Sequence, residues 1–502
     1  MPTGTHTHRH RVGSSARSRA RTSQATAFAV AWLVFFTTLQ WSVVRYRIPI
    51  VAVLTLATLA LALWQWRGWQ VRLTRPSVAF ALAGSALATL AVPLFSYLAP
   101  TGLAVATSLL VAGPLVCAAL LWSHGEGARR PAWVAGATAV VAYAGAAATA
   151  VVSSPRPRID VWVTLQQASD ALARGENFYA MSWTGSPGIQ DAFTYLPWTA
   201  VLLAPGRWVA GDVRWALAAW TLVGVVGVWL LARHTDPAGD ATEDGPAEGG
   251  PASGSRSWVW TAAAVTALLL LAPGTLTQLD QAWTEPLLLT GIVGWAVLVQ
   301  RDKAWWAVIP LALACASKQH LALLLPVLLL WRPFGWRRTT ATGALTGLLL
   351  APWFLASPSD FVHDTITLLL SFHPIKFANT LYLLALNTFG VTLPFYVTGV
   401  VVLGTLAAVM WTVWRRQPDL SSVLRWLALV LLVANLVNKQ AFYNQFWLVG
   451  ALVVVSLAVP VPTRTPPVAA RTPPGAQDLV DGGRDDVAVS RTTSTRRSRT
   501  AG

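Results

Sequence analysis

Apolar runs of roughly 17–25 residues recur from residue 26 to residue 460, the length an α-helix needs to cross a lipid bilayer. Lipid offers no water to backbone N–H and C=O groups, so a spanning segment must be a helix or part of a closed barrel. No alternating strand pattern of the barrel kind occurs. The sequence therefore predicts an all-α fold, a polytopic transmembrane helical bundle. Composition agrees: 54% of residues are hydrophobic and 12% charged, where soluble domains carry about 25% charged residues.

Spans are expected near 26–44, 48–66, 77–98, 101–122, 131–152, 213–232, 258–273, 283–300, 304–317, 319–331, 339–356, 394–414, 423–437 and 443–460. That makes about 14, in a range of 12–15. The apolar pieces 195–210 and 380–392 read as re-entrant or interfacial. Four parts follow: a disordered basic N-terminus (1–25), four additional N-terminal helices (26–130), a main membrane domain (131–460) with a long loop at 153–194, and a disordered basic tail (461–502).

The net charge of +16 does not call for nucleic acid, because it is placed as membrane topology requires. Both ends are Arg-rich, and so are short loops at Arg67–Arg75, Arg129–Arg130, Arg301–Lys303, Arg332–Arg338 and Arg415–Arg416. This pattern predicts a plasma-membrane protein with both termini in the cytoplasm, with Arg45 and Arg47 as exceptions. No cleavable signal peptide is expected, since the first apolar run is too long for one. The stretch 234–257 is acidic and reads as a cytoplasmic Gly/Pro linker without a site. Cys117 and Cys315 lie in apolar runs and imply neither a disulfide nor a metal.

With that orientation, polar residues collect outside: in 153–194, at Gln278–Glu285, at Lys318–His320, in 357–379 and at Asn438–Asn444. Pro155 and Pro157 break the preceding span, and a helix can start at Asp160. Val161, Leu165, Ala168 and Leu172 form one stripe, which predicts an interfacial amphipathic helix closed by Gly175. Asp160 is either the N-cap of this helix or a general base, a carboxylate at a bilayer lip that takes a proton from a hydroxyl.

The chain has 33 Arg and only four Lys. Lys303 is in an inside loop, whereas Lys318, Lys376 and Lys439 all fall in outside turns, beside Gln319, His373 and Gln440. Positive charge outside opposes the usual bias. It reads either as helix-end or snorkelling cations or as a site for an anion such as a phosphodiester. Asp280 and Glu285 are candidates for sugar hydroxyls or for a helix N-terminus. His363 and Asp364 lack a third metal ligand. Asp170, Glu176 and Asp191 read as a solvated face. Trp162, Trp183 and Trp198 could stack on sugars, though most of the 27 Trp belong to interfacial belts. No Gly-rich phosphate loop occurs, and no Asp-x-Asp element occurs in 153–194.

Asp160, then Gly175, Asn177 and Tyr179, then Phe193-Thr194-Tyr195-Leu196-Pro197, resembles the first external loop of GT-C superfamily glycosyltransferases. The run looks most like the actinobacterial branch with polyprenol-phosphate-mannose-dependent α-mannosyltransferases. Phe178 stands where that family often has Pro. Leu279–Glu285 and Ser317-Lys318-Gln319 before Leu324-Leu325-Pro326 match later motifs over roughly 140–460, and four spans precede the usual first helix. The resemblance implies a hexosyltransferase of the cell envelope, most simply for mannose, acting on the outer face with a polyprenyl-phosphate donor. It would be inverting, free of metal and cofactor, with a glycolipid, polysaccharide or protein hydroxyl as acceptor. Asp160 would be the base. Lys318, Lys376, Lys439 and His373 would hold the donor phosphate, and Tyr179, Tyr195, Gln281, Glu285, Gln319 and Asn444 would bind sugar or acceptor. The alternatives are a flippase or transporter of lipid-linked sugars, which would show paired charges at mid-span, and a non-catalytic relative.

Overall fold

A computed structural model describes residues 8–233 and 257–460, with side chains from residue 23. The acidic stretch 234–256 and the tail 461–502 lie outside the described residues, as do the side chains of the basic N-terminus up to residue 22. Helices α1 (His8–Ser42), α2 (Ile48–Arg67), α3 (Arg75–Ala91) and α4 (Pro100–Ser123) lead into α5 (Arg129–Ser153). The loop between α5 and α7 (Trp198–Ala210) contains α6 (Asp160–Ala173), and α8 (Val213–Ala232) follows α7. Then come α9 (Trp258–Leu270), α10 (Thr275–Asp280), α11 (Glu285–Gln300), α12 (Val308–Cys315) and α13 (Leu325–Leu330), the last entered through a 3₁₀ stretch, Gln319–Leu324. The chain ends in α14 (Gly335–Ala356), the short α15 (Pro358–Val362) and α16 (Leu368–Ser371), α17 (Leu381–Phe389), α18 (Phe395–Arg416), α19 (Leu420–Leu436) and α20 (Tyr443–Ser456). No strand occurs among the described residues.

Among the described residues, seven helices are long and apolar enough to cross a membrane: residues 23–42 of α1, then α2, α4, α5, α8, α14 and α18. Six shorter apolar helices accompany them, including α9, α11, α19 and α20. The chain is a multi-pass membrane protein. Proline opens several helices where a donor would be idle, as at Pro49, Pro76 and Pro286. Side-chain caps start others, such as the Thr74–Ser77 capping box of α3 and Asp212 at α8. Helix α5 packs through Ala135, Ala139, Ala142 and Ala146, all buried. Small side chains let helices approach closely where lipid supplies no hydrophobic drive. The leading helices α1–α4 share one compact unit with the rest of the described chain.

Hydrogen bonds between loops sort the chain ends of the helices into two sets. At one end, Tyr97 is joined to Arg158, Asn379 to Arg45, Leu196 to Ser317 and Ile375 to Lys439. At the other, Arg75 reaches Trp122, Gln65 reaches Ser422, Ser257 reaches Glu126 and Trp331 reaches Pro418. Arg67, Arg75, Arg129, Arg332 and Arg416 belong to this second end.

The 153–194 loop differs from the sequence expectation in two ways. Helix α6 forms, and Gly175 takes a left-handed conformation just past its end (φ 71°). However, Leu165 and Ala168 are fully buried inside the protein, so this stripe does not rest on lipid headgroups. The polar side is occupied too. Gln166 bonds Gly211, the Ser169 carbonyl accepts from Trp208, and Asp170 pairs with Arg207 at 2.8 Å. The loop is long enough to fold back on α7 and α8, which bury both faces. Asp170 is therefore ion-paired, as is Glu176 with Arg174 at 2.6 Å.

Candidate active site

At the first end of the bundle, a cavity of about 1240 Å³ opens among loops from both halves of the chain. Its lining includes Asp160, Tyr195, Gln281, Lys318, Gln319, His373 and Asn444, all singled out by sequence. Asp160 is not the N-cap of α6. Ile159 holds that position, and Asp160 is the first helical residue. Its Oδ1 accepts the Val161 N–H at 2.8 Å, and the side chain is half-buried at the cavity wall. The first turn of α6 is pinned from outside: Trp162 Nε1 donates to Asp212 at 3.0 Å, and Asp212 is bound by the buried Arg214 at 2.7 Å.

Gly188 lies against this carboxylate. A Cβ built there would stand 2.5 Å from Asp160 Oδ2 and 3.2 Å from its Cβ. Gly188→Ala must therefore displace the Asp160 side chain. A shift of about 1 Å at a reacting group costs on the order of 10²-fold in rate. We expect Gly188→Ala to lose activity on that scale with unchanged thermal stability. Wild-type rates in an alanine variant would show that the carboxylate position is not critical.

The opposite wall is built on a buried ion pair. Lys318 follows α12, and its Nζ lies 2.5 Å from Glu285 Oε1. Asn444 Nδ2 donates to the same oxygen at 2.8 Å. The Lys318 ammonium also sits over the Tyr195 ring, 5.2 Å from its centroid. Burial, together with the charges of Glu285 and Asp160, holds the Tyr195 phenol well above its usual pKa, so it stays a donor. Gln319 Nε2 donates to the Thr194 and Thr365 carbonyls at 3.0 and 3.2 Å, tying the Tyr195 loop to the α15–α16 region. Trp283 stacks on Tyr443 beside Asn444, with centroids 5.4 Å apart.

Lys376 and Lys439 are not brought to the cavity. Lys376 is exposed beside it, and Lys439 Nζ is bound to the Leu370 carbonyl at 2.8 Å. The second is the helix-end use of a cation that the sequence left open. Tyr179 is buried behind the wall, its hydroxyl donating to the Tyr195 carbonyl at 2.8 Å, so it shapes the loop from inside. Trp162, Trp183 and Trp198 each donate their indole N–H to a protein oxygen, and none of the three lines the cavity. Asp364 accepts from the Phe193 N–H at 2.7 Å and from His363 at 3.0 Å, which makes the pair a loop anchor.

Asp280 turned out to be central in a way its sequence context did not single out. It is 1% exposed, and its Oδ2 accepts from Tyr97 N at 3.1 Å and Gln281 Nε2 at 3.0 Å. Burial pushes its carboxyl from 3.8 up to about 6, against those hydrogen bonds and the charge of Arg214. The folded protein thus holds this proton more tightly than the unfolded chain does. Stability from Asp280 is fully present below about 3.8 and is lost as pH rises through about 6. Thermal midpoints across pH 4–6.5 should fall more steeply for the wild type than for Asp280→Asn. Parallel curves would refute it.

Much of the cavity lining comes from the segment that begins at Phe193 and ends at the α19–α20 turn. Residues 193–438 match the model of Glycosyltransferase family 87. The family 87 segment is just under half of the chain and supplies Tyr195, Gln281, Lys318, Gln319 and His373. The segment similar to this family is set in an apolar, multi-pass helical bundle. Asp160 and Asn444 lie outside the family 87 segment, one on each flank. No curated protein gives a significant match. Among solved structures, ArnT from Cupriavidus metallidurans, crystallised bound to undecaprenyl phosphate, is similar over 64% of this chain and 59% of its own, at 16% identity and a TM-score of 0.42.

Proposed function

We propose that the protein transfers a hexose, with mannose the first candidate, from a polyprenyl-phosphate donor to a hydroxyl of an envelope glycolipid, polysaccharide or protein. The observation that carries this reading is that one cavity, bordering a segment similar to a glycosyltransferase family, receives both a half-buried carboxylate, Asp160, and a largely buried ammonium, Lys318. Its volume of about 1240 Å³ exceeds that of a single small-ligand pocket, as a donor and an acceptor together require.

In the reaction, the acceptor oxygen attacks the anomeric carbon while the bond from that carbon to the phosphate oxygen breaks. The acceptor proton goes to Asp160, and the polyprenyl phosphate departs with the bonding electrons. Attack opposite the leaving group inverts the anomeric centre. Lys318 faces the developing phosphate charge, a cation already held in place by Glu285. His373 lines the same cavity and is the second phosphate candidate; Lys376 and Lys439 drop from that role. Gln281, Asn444 and the Trp283–Tyr443 stack offer polar and aromatic contacts to the sugar.

The basic residues at the end away from the cavity support one orientation. By the positive-inside bias that end is cytoplasmic, and the cavity faces outward. Helix α1 ends and α20 begins at the cavity end, which supports the reading that both termini are cytoplasmic. Membranes bearing the chain, given polyprenyl-phosphate-[14C]mannose, should accumulate labelled lipid or polymer. If no label moves from the mannose, glucose or arabinose donors, the transferase reading fails and a transporter is favoured.

A further inference from the structure

The cavity is not enclosed by the family 87 segment alone. Phe95 and Tyr97, on the loop between α3 and α4, line it, as do Ser42 and Val44 after α1. This part of the chain lies well ahead of residue 193. The turn after α1 is held by Asn379, whose Nδ2 donates to the Arg45 carbonyl at 2.7 Å and whose Oδ1 accepts the Arg47 N–H at 3.1 Å. The main chain of Arg45 and Arg47 is thus held in place beside the cavity.

Tyr97 makes the more consequential contact. Its main-chain N–H donates to the buried Asp280, and its hydroxyl donates to the Arg158 carbonyl at 2.8 Å. Arg158 is two residues before Asp160. Between them Ile159 caps α6 without any side-chain hydrogen bond. The same loop is tied again where Ala99 N donates to the Ser153 carbonyl at 3.3 Å. Tyr97 is thus a strut from a buried carboxylate of the family 87 segment to the backbone that carries Asp160.

We infer that Tyr97 is a positioning residue for Asp160, and that the leading helices belong to the catalytic site because they deliver it. This rests on the reading of Asp160 as base. No role for the four leading spans is legible in the sequence; here loops between them line part of the cavity and hold the backbone before α6.

The test uses the full chain in lipid nanodiscs and the variant Tyr97→Phe, which keeps the ring beside Phe95 and loses only the hydroxyl. Hydrogen exchange read by mass spectrometry should rise about three- to tenfold in peptides covering 160–163, the factor expected for one hydrogen bond, and stay unchanged in α8. In the transfer assay, kcat should fall by a similar factor while KM for the polyprenyl-phosphate sugar is unchanged. In the Asp160→Asn background the same substitution should have no further effect. Unchanged exchange overturns the strut. A rise in exchange with full activity, or an additive loss in the double variant, overturns the positioning role. Absence of transfer by the wild type would reject the transferase reading, and the exchange result alone would then decide whether Tyr97 fixes the segment.

Discussion

Asp160→Asn is expected to lower kcat by about 10²- to 10⁴-fold, the usual worth of a positioned general base. Asparagine keeps an oxygen for the Val161 N–H that Asp160 Oδ1 now accepts, so α6 should start as before. Because Ile159 is the N-cap, the substitution removes no cap. KM for the donor should therefore change little, since the lost interaction forms only as the acceptor proton moves. The check is single-turnover transfer with matched amounts of inserted protein. A variant that transfers at the wild-type rate would reduce Asp160 to a favourable charge at a helix N-terminus. A variant that also loses thermal stability would point to a structural role instead.

What the sequence made legible follows from what each residue has to satisfy locally. The apolar runs specify helices because the bilayer leaves the backbone no other way to bond, and several helices match the expected runs closely. For example, α2 covers Ile48–Arg67, where 48–66 was expected. Among the described residues, however, seven helices rather than about 14 are long and apolar enough to span, α1 starts at His8 rather than 26, and α3 ends at Ala91 rather than 98. Lys318, Gln319 and Asn444 were visible because charge or amide groups interrupt hydrophobic sequence at positions where lipid would penalise them. Lys376 and Lys439 raise the same flag for a different reason. A lysine satisfying the Leu370 carbonyl interrupts the pattern just as one facing a cavity does. Tyr97 and Gly188 were not legible. One is a tyrosine at the end of an apolar run, which reads as an interfacial aromatic. The other is a loop glycine whose need for a missing side chain appears only when Asp160 is placed against it. The fate of α6 was hidden for a related reason: amphipathic spacing states that one face is apolar but not whether lipid or protein covers it.

Lys318→Met should be the most destabilising of the single substitutions considered. It would leave the Glu285 carboxylate, 0% exposed, with one donor from Asn444 and no cation. Removing one partner of a buried ion pair costs about 3–5 kcal/mol, because the remaining charge has neither water nor a counterion. The pair as a whole is worth far less, since each charge was costly to bury. Lys318→Met combined with Glu285→Gln should therefore regain most of the stability: the glutamine oxygen still accepts from Asn444, and no charge is stranded. Transfer should stay low in the double variant, because the leaving phosphate would meet no ammonium in the cavity. Thermal unfolding in detergent and the transfer assay separate these terms. A double variant as unstable as Lys318→Met would show that the loss comes from packing around Tyr195 rather than from the stranded charge. A double variant that recovers transfer would remove Lys318 from the phosphate site and leave the donor phosphate to His373.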